Sequence, residues 1–207
     1  MRIFNYLRDF HNKLLYGKQS PLYAEQLWID PKRVLAVDHD RMIETGWGHY
    51  SSGKVITEWP FSSEEYFSVW TLPKIKHCVL RYKRKLSWED TGAYEHYEQY
   101  RTTKTNAPKY TQNYIIDRHQ QFDDIFDTVK KENRLRTVSE LKPGAFREES
   151  GILIHIGPEG ELIFSETGSH RLGIALLLNL QIIPVQIGVV HSKAIPLLDG
   201  YRKKTKT

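Results

Sequence analysis

The chain has 207 residues, and its 40% hydrophobic content is enough for one sizeable folded domain with an appendage. Lys and Arg number 30 against 25 Asp and Glu, so the formal charge of +5 permits nucleic acid, nucleotide or anionic membrane partners without requiring any of them. One cysteine excludes an intrachain disulfide framework and favours a reducing, cytoplasmic location, and no apolar run approaches the roughly 20 residues of a transmembrane segment.

The first predicted element is an amphipathic helix over residues 3–15. Its apolar residues recur at helical spacing, namely Ile3, Phe4, Leu7, Phe10, Leu14 and Leu15. The other face is basic and polar. We expect the helix to pack on the domain, and peripheral contact of residues 1–15 with a membrane surface is the alternative. Polar residues interrupt the start of the chain too soon for a secretory signal.

Short strands and loops are predicted for residues 27–60. Residues 27–31 form an apolar run that ends at a proline, which predicts a strand followed by a turn. Asp38-His39-Asp40 carries metal-ligating side chains, but adjacent residues cannot easily face one ion, so a solvated loop is expected. Residues 45–60 are rich in Gly, Ser and Trp and predict a loop or hairpin, whose aromatic side chains either stack on a base or cap the core.

A basic helix is predicted to begin at Pro73, because proline is favoured in the first turn of a helix. Cations cover most of the surface that its apolar residues leave free. Lys83, Arg84 and Lys85 are the candidate contacts with DNA or RNA, and a solvated helix face is the alternative.

Two further helices are predicted on either side of a polar segment. Ser87-Trp88-Glu89-Asp90 resembles a helix N-cap, and tyrosines spaced by three from Tyr94 indicate packing more than a binding platform. Residues 101–114 are polar and turn-prone, which predicts a flexible linker. Apolar residues from Ile115 onward keep helical spacing and predict the second helix.

The most informative stretch lies between residues 162 and 178. Leu162-Ile163-Phe164 predicts a strand, and residues 172–178 predict a buried helix. A turn through Gly168 would aim the free N–H groups of the helix start at an anion. The candidate phosphate-binding residues are therefore Gly168, Ser169, His170 and Arg171. An ordinary tight turn with Ser169 as the helix N-cap is the alternative.

Residues 151–191 resemble the ParB/sulfiredoxin superfamily in the order of their elements. A strand over 152–156, a Gly-Pro-Glu-Gly turn, a second strand, the Gly168-Ser169-His170-Arg171 turn, a helix and a closing strand over 182–187 carry this resemblance. The resemblance implies that the turn binds the phosphates of a nucleoside triphosphate, ATP or CTP. The chain departs from the family pattern at two positions. Ser169 stands where sulfiredoxins have a cysteine, and Thr167 stands where kinase-like members often carry an acid.

Three hypotheses about function follow from these residues. The first is a nucleotide-binding protein that transfers a phosphoryl group to a small molecule, with Mg²⁺ as the expected ion and no identified metal ligands. Its candidate catalytic residues are Glu166, His170 and His191. The alternative is a non-catalytic module that binds DNA or RNA. A protein that keeps the fold without chemistry is also compatible with the departures at Thr167 and Ser169.

The predicted fold class is α+β, with a small, partly parallel sheet flanked by helices. Residues 115–200 are expected to form the ParB/sulfiredoxin-like core. Residues 1–114 are expected to form a helical, aromatic-rich elaboration that contributes at least one strand to it. Residues 201–207 form a basic tail that is expected to be disordered.

Overall fold

The computed structural model describes residues 2–103 and 111–203. The described residues form a seven-stranded mixed sheet with helices, which confirms the predicted α+β class. The helices are α1 (Arg2–Tyr16), α2 (His39–Glu44), α3 (Pro73–Arg84), α4 (Ala93–Thr103), α5 (Gln112–Glu132), α6 (Val138–Leu141), α7 (Ser169–Leu177) and α8 (Leu198–Arg202). The strands are β1 (Gln26–Ile29), β2 (Val34–Ala36), β3 (Val55–Ile56), β4 (Phe67–Ser68), β5 (Leu153–Ile156), β6 (Leu162–Phe164) and β7 (Ile183–His191).

The sheet has the strand order β1-β7-β5-β6-β2-β4, and β3 also pairs with β7. Strand β7 is buried along all nine residues, as its nearly continuous apolar sequence favours. One edge of β7 pairs in parallel with β5, and the other pairs with β1 and β3 in succession. Four strands that precede residue 114 therefore share one sheet with three strands that follow it.

Alternating side chains of β6 face two separate apolar layers. Leu162 and Phe164 join the main core, and Ile163 points to a smaller aromatic cluster on the other face of the sheet. Helix α7 packs closely on α3 in the main layer. A Cβ at Gly173 would lie only 3.3 Å from Sγ of Cys78, so glycine permits this close approach.

Of the loop or hairpin predicted for residues 45–60, the described structure has the loop and no hairpin. This segment holds a short 3-10 turn and β3, which pairs with β7 in parallel. The rings of Trp47 and Trp59 lie 5.1 Å apart and pack on the smaller cluster. The aromatic side chains therefore cap the core.

Two helix starts differ from the prediction. Helix α4 begins at Ala93, because Ser87 Oγ accepts the N–H of Asp90 at 3.0 Å within a turn and does not cap a helix. The expected loop at Asp38-His39-Asp40 is instead the start of α2. Its N-cap is Asp38, which accepts the N–H of Asp40 at 3.0 Å.

The ends of the predicted linker and tail are ordered. Helix α4 reaches Thr103 and α5 starts at Gln112, while residues 104–110 lie outside the described part. In the predicted tail, Arg202 belongs to α8 and pairs with Glu25 at 2.6 Å. This ion pair is why the expected disorder does not begin at position 201, and residues 204–207 lie outside the described part.

Helix α1 forms where it was predicted but docks with the opposite face. Its buried side chains are polar, and Asn12 donates from Nδ2 to the backbone oxygens of Pro21 and Gly53 at 2.9 and 2.8 Å. Seven large apolar or aromatic side chains of α1 are between 54% and 74% exposed. Six of them form what we call the apolar face: Ile3, Phe4, Leu7, Phe10, Leu14 and Leu15. The expectation that this face packs on the domain was wrong.

Candidate functional site

The turn between β6 and α7 contains two residues in the left-handed conformation. Gly168, the N-cap of α7, has φ +85°, and Glu166 has φ +63°. A Cβ at Gly168 would lie 3.0 Å from Cα of Ile152, so both conformation and space favour glycine here. A left-handed glutamate is uncommon, and such conformations cluster at functional sites.

The predicted alternative that Ser169 caps α7 is wrong, because Ser169 is the first residue of the helix. Its Oγ donates to the backbone oxygen of Glu166 at 2.6 Å and so closes the turn. No side chain caps α7. The first N–H groups of an α-helix have no partner within the helix, so this helix start can donate hydrogen bonds to a ligand.

A cavity of about 340 Å³ lies at this helix start. Ser169 and Glu166 line one side, and Leu72, Pro73 and Lys74 line another. Leu72 is the N-cap of α3 and likewise makes no side-chain cap hydrogen bond. The starts of α3 and α7 therefore open onto the same space, and their helix dipoles both favour negative charge there.

A lysine, two histidines and two acidic side chains line the cavity. Lys74, His39 and His96 lie along it together with Glu166 and Asp38. Nδ1 of His39 is 3.1 Å from Oε2 of Glu166. Burial, followed by the nearby charges of Lys74 and His39, lowers the pKa of His96. A bare anion would meet both attraction and repulsion here, whereas a phosphate that carries a divalent cation would satisfy both kinds of side chain.

The ring of His170 lies in an aromatic layer and not in the cavity lining. It stacks on Phe122 with 3.8 Å between ring centroids, and the ring of His119 is 6.0 Å away. Burial is the largest cause that lowers the pKa of His170 well below 6.5, and Lys74 adds to it. The backbone of His170 remains at the helix start, so the geometry offers its N–H and not its ring to a phosphate.

Arg171 lines a different cavity, of about 220 Å³, beside Val129 and Leu135. Its Nη2 donates to the backbone oxygen of Arg136 at 2.8 Å. The divergence of Ser169, His170 and Arg171 follows from helix geometry, since 3.6 residues per turn place successive side chains about 100° apart. The structure therefore does not bring the predicted phosphate-binding side chains together on one ligand.

His191 lies at the end of β7, where backbone groups occupy both ring nitrogens. Its Nδ1 accepts the N–H of Lys193 at 3.2 Å, so Nε2 carries the proton and donates to the oxygen of Thr57 at 2.8 Å. These two contacts of the ring hold the chain after β7 in place. The geometry gives it no free nitrogen for the predicted catalytic role.

Lys83, Arg84 and Lys85 are exposed at the end of α3 that is remote from the cavity. Lys83 Nζ lies 5.9 Å from the ring centroid of Trp70. The neighbouring Arg81 does not add to this surface, because it pairs with Asp123 at 2.6 Å.

Sequence reasoning assigned no role at this turn to Lys74, His39 or His96. Lys74 was one cation of a basic helix, and His39 belonged to a segment expected to be a solvated loop. The sequence signal was a proline at a helix start followed by a lysine, which places that lysine in the first turn. Its proximity to α7 depends on the packing of α3 against α7, which local sequence does not reveal.

Among residues 2–103 and 111–203, no group of three or more His, Cys, Asp or Glu side chains is arranged to hold a metal ion. None of the helices in these ranges is both long and apolar enough to cross a membrane. Comparison of the chain with family models, with curated proteins and with solved structures found no match.

Proposed function

We propose that the protein binds a nucleoside triphosphate with its phosphates in the cavity between the starts of α3 and α7. The observation that carries the proposal is the convergence of two helix starts without side-chain caps beside Lys74. Helix N-termini and a lysine together form an anion site. The resemblance of residues 151–191 to the ParB/sulfiredoxin superfamily is what favours ATP or CTP over other phosphates.

Mg²⁺ is the cation that we assign to this nucleotide. It is usually held by one or two carboxylates together with substrate phosphates, so it needs no preformed protein cage. Glu166 supplies a carboxylate in the turn before α7, and Asp38 lines the same cavity. In the proposed complex, Glu166 holds the ion or orients an acceptor hydroxyl, Lys74 neutralises phosphate charge, and the N–H groups of Ser169 and His170 donate to phosphate oxygens.

Transfer of a phosphoryl group to a small molecule is the reaction that this arrangement would serve. Ser169 is poorly placed as a nucleophile, because its hydroxyl proton points to a carbonyl oxygen that cannot act as a base. The acceptor is therefore assigned to a second substrate. A cytoplasmic location belongs to the same proposal, and the buried free thiol of Cys78 is compatible with it.

Calorimetric titration of ATP and of CTP in the presence of MgCl₂ tests the proposal. We expect the wild type to bind at least one of them, and Lys74→Gln to weaken the affinity about tenfold or more. Lys76→Gln removes an exposed lysine from the same helix and should leave the affinity unchanged. Absence of binding by the folded wild type at millimolar nucleotide, or equal affinities for wild type and Lys74→Gln, would overturn the assignment.

A nucleic-acid-binding module remains the second candidate, and the exposure of Lys83, Arg84 and Lys85 favours it. Their neutralisation should weaken DNA or RNA binding and reduce the salt slope by about 0.7–0.9 for each phosphate that the variant no longer neutralises. A wild-type protein that produces no mobility shift at low salt would remove this candidate. The three side chains would then be ordinary solvent-exposed groups at the end of α3.

A further inference from the structure

Helix α1 is held on the domain by buried polar groups, which fix its apolar face outward. Asp9 accepts the N–H of Tyr23 at 2.6 Å and pairs with Arg147 at 2.8 Å. Arg8 donates to the backbone oxygens of Tyr50 and Ser52 at 2.7 and 2.8 Å. Together with the two bonds of Asn12, these contacts would all break if the helix rotated to bury its apolar face.

The apolar side chains that α1 leaves exposed lie next to one another and are not scattered over the surface. The apolar face holds residues at the spacing i, i+3, i+4 and i+7 along nearly the whole helix, so it forms one stripe, with the exposed His11 as its one polar member. Contiguous exposed apolar stripes of this kind mark contact with another protein or with a membrane.

The charges around this face favour an anionic lipid surface. Between residues 2 and 19 the only acidic residue is Asp9, which is buried and paired with Arg147. Lys13 and Lys18 are exposed on the same segment. A second copy of α1 would offer these lysines no exposed carboxylate of the helix as a partner. An anionic bilayer supplies both the apolar layer and the negative charge.

We propose that α1 lies in the plane of an anionic membrane surface, with its apolar face buried at the level of the lipid headgroups and upper acyl chains. The polar contacts of Asp9, Asn12 and Arg8 keep the domain attached to the opposite side of the helix. The protein is thus a peripheral membrane protein whose anchor is prefolded on the domain.

Co-sedimentation with vesicles tests this proposal directly. We expect the wild type to bind vesicles of phosphatidylcholine and phosphatidylserine at low salt, and to bind vesicles of phosphatidylcholine alone about tenfold less tightly. Leu7→Gln with Phe10→Gln should reduce binding by about tenfold or more, because both side chains belong to the apolar face. These positions are exposed, so the variant should keep its fold.

A matched double variant, Ile43→Gln with Leu141→Gln, removes two exposed apolar side chains that lie outside α1 and should bind as the wild type does. The depth of the helix can be read from an environment-sensitive fluorophore on Leu7→Cys, since Cys78 is the chain's single native cysteine and is buried. Its emission should rise when anionic vesicles are added, and more than for the same dye on Lys18→Cys.

Three results would overturn the proposal. One is that the folded wild type fails to bind either kind of vesicle. Another is that binding survives Leu7→Gln with Phe10→Gln unchanged. The third is that sedimentation equilibrium shows a dimer for the wild type and a monomer for this double variant, while neither protein binds vesicles. A second copy would then be the partner of the apolar face.

Discussion

His39 Nδ1 lies 3.1 Å from Oε2 of Glu166, and this contact joins the start of α2 to the left-handed turn before α7. The two residues are far apart in the chain and meet at the cavity that Lys74 also lines. An imidazole beside the carboxylate orients it, as outer partners of metal-binding carboxylates commonly do.

Glu166→Gln should weaken Mg²⁺-dependent ATP binding about tenfold or more, because the amide keeps the shape but lacks the negative charge that would hold the ion in the proposed complex. Titration with and without MgCl₂ separates this effect from direct phosphate contacts. Glu159→Gln, at an exposed turn, is the control and should bind as the wild type does. Equal losses with and without magnesium would contradict the metal-holding role of Glu166.

Gly168→Ala should lower the free energy of unfolding by about 2–3 kcal/mol, through a left-handed backbone and a close contact with Ile152. Gly144→Ala separates the two causes. Gly144 has φ +80° and open space around a Cβ, so this change should cost only about 1–2 kcal/mol. Urea denaturation measures both, and a smaller loss at position 168 than at position 144 would show that the contact relaxes freely.

The protein should lose stability as the pH falls below about 6.5. Burial lowers the pKa of His155 to about 3, and burial with neighbouring His96 lowers that of His77 to about 4, from an ordinary value of 6.5. Between each lowered pKa and pH 6.5, the histidine binds a proton in the unfolded chain but not in the folded protein. Stability therefore rises with pH through this window, by up to about 1.4 kcal/mol per pH unit for each histidine.

Urea denaturation at pH 7, 6 and 5 checks this dependence. The loss should be larger between pH 6 and 5 than between pH 7 and 6, because histidines of the unfolded chain are mostly protonated only below about pH 6.5. His77→Gln removes one of the contributing groups and should flatten the slope relative to the wild type. Equal free energies of unfolding for the wild type across this range would rule the dependence out.

Asn12→Ala should destabilise the protein by about 1–3 kcal/mol, because the buried backbone oxygens of Pro21 and Gly53 would each lose a donor. Asn113→Ala, at an exposed position of α5, is the comparison and should change stability by less than about 0.5 kcal/mol. If the two substitutions cost the same, the polar contacts of α1 do not hold it on the domain.

Local sequence was sufficient for the elements around the turn. The apolar run ending at Phe164 is set by neighbouring residues, so β6 was predicted correctly. The buried helix predicted over residues 172–178 is α7, which begins three residues earlier at Ser169. The directions of the side chains of Ser169, His170 and Arg171 were not predicted. A helix turns Ser169, His170 and Arg171 in three directions, and only tertiary packing determines which of them faces a cavity.

The orientation of α1 is a second case in which local sequence predicts a helix but not the face that packs on the domain. Periodicity identified its apolar stripe correctly, and the usual rule that such a stripe faces the core gave the wrong orientation. The deciding partners are the backbone oxygens of Pro21 and Gly53, which accept from Asn12. Backbone acceptors have no signature in side-chain sequence, so no pattern within residues 3–15 could have revealed them.

The contact between Gly173 and Cys78 sets the separation of α7 and α3 from inside the core. Because α7 rests on α3 at this point, the distance between the two helix starts is set inside the core. A ligand placed between the two helix starts would therefore meet a space whose width the core packing of α3 and α7 sets. A larger residue at position 173 would push the two helix starts apart. It would widen the cavity although residue 173 does not line it.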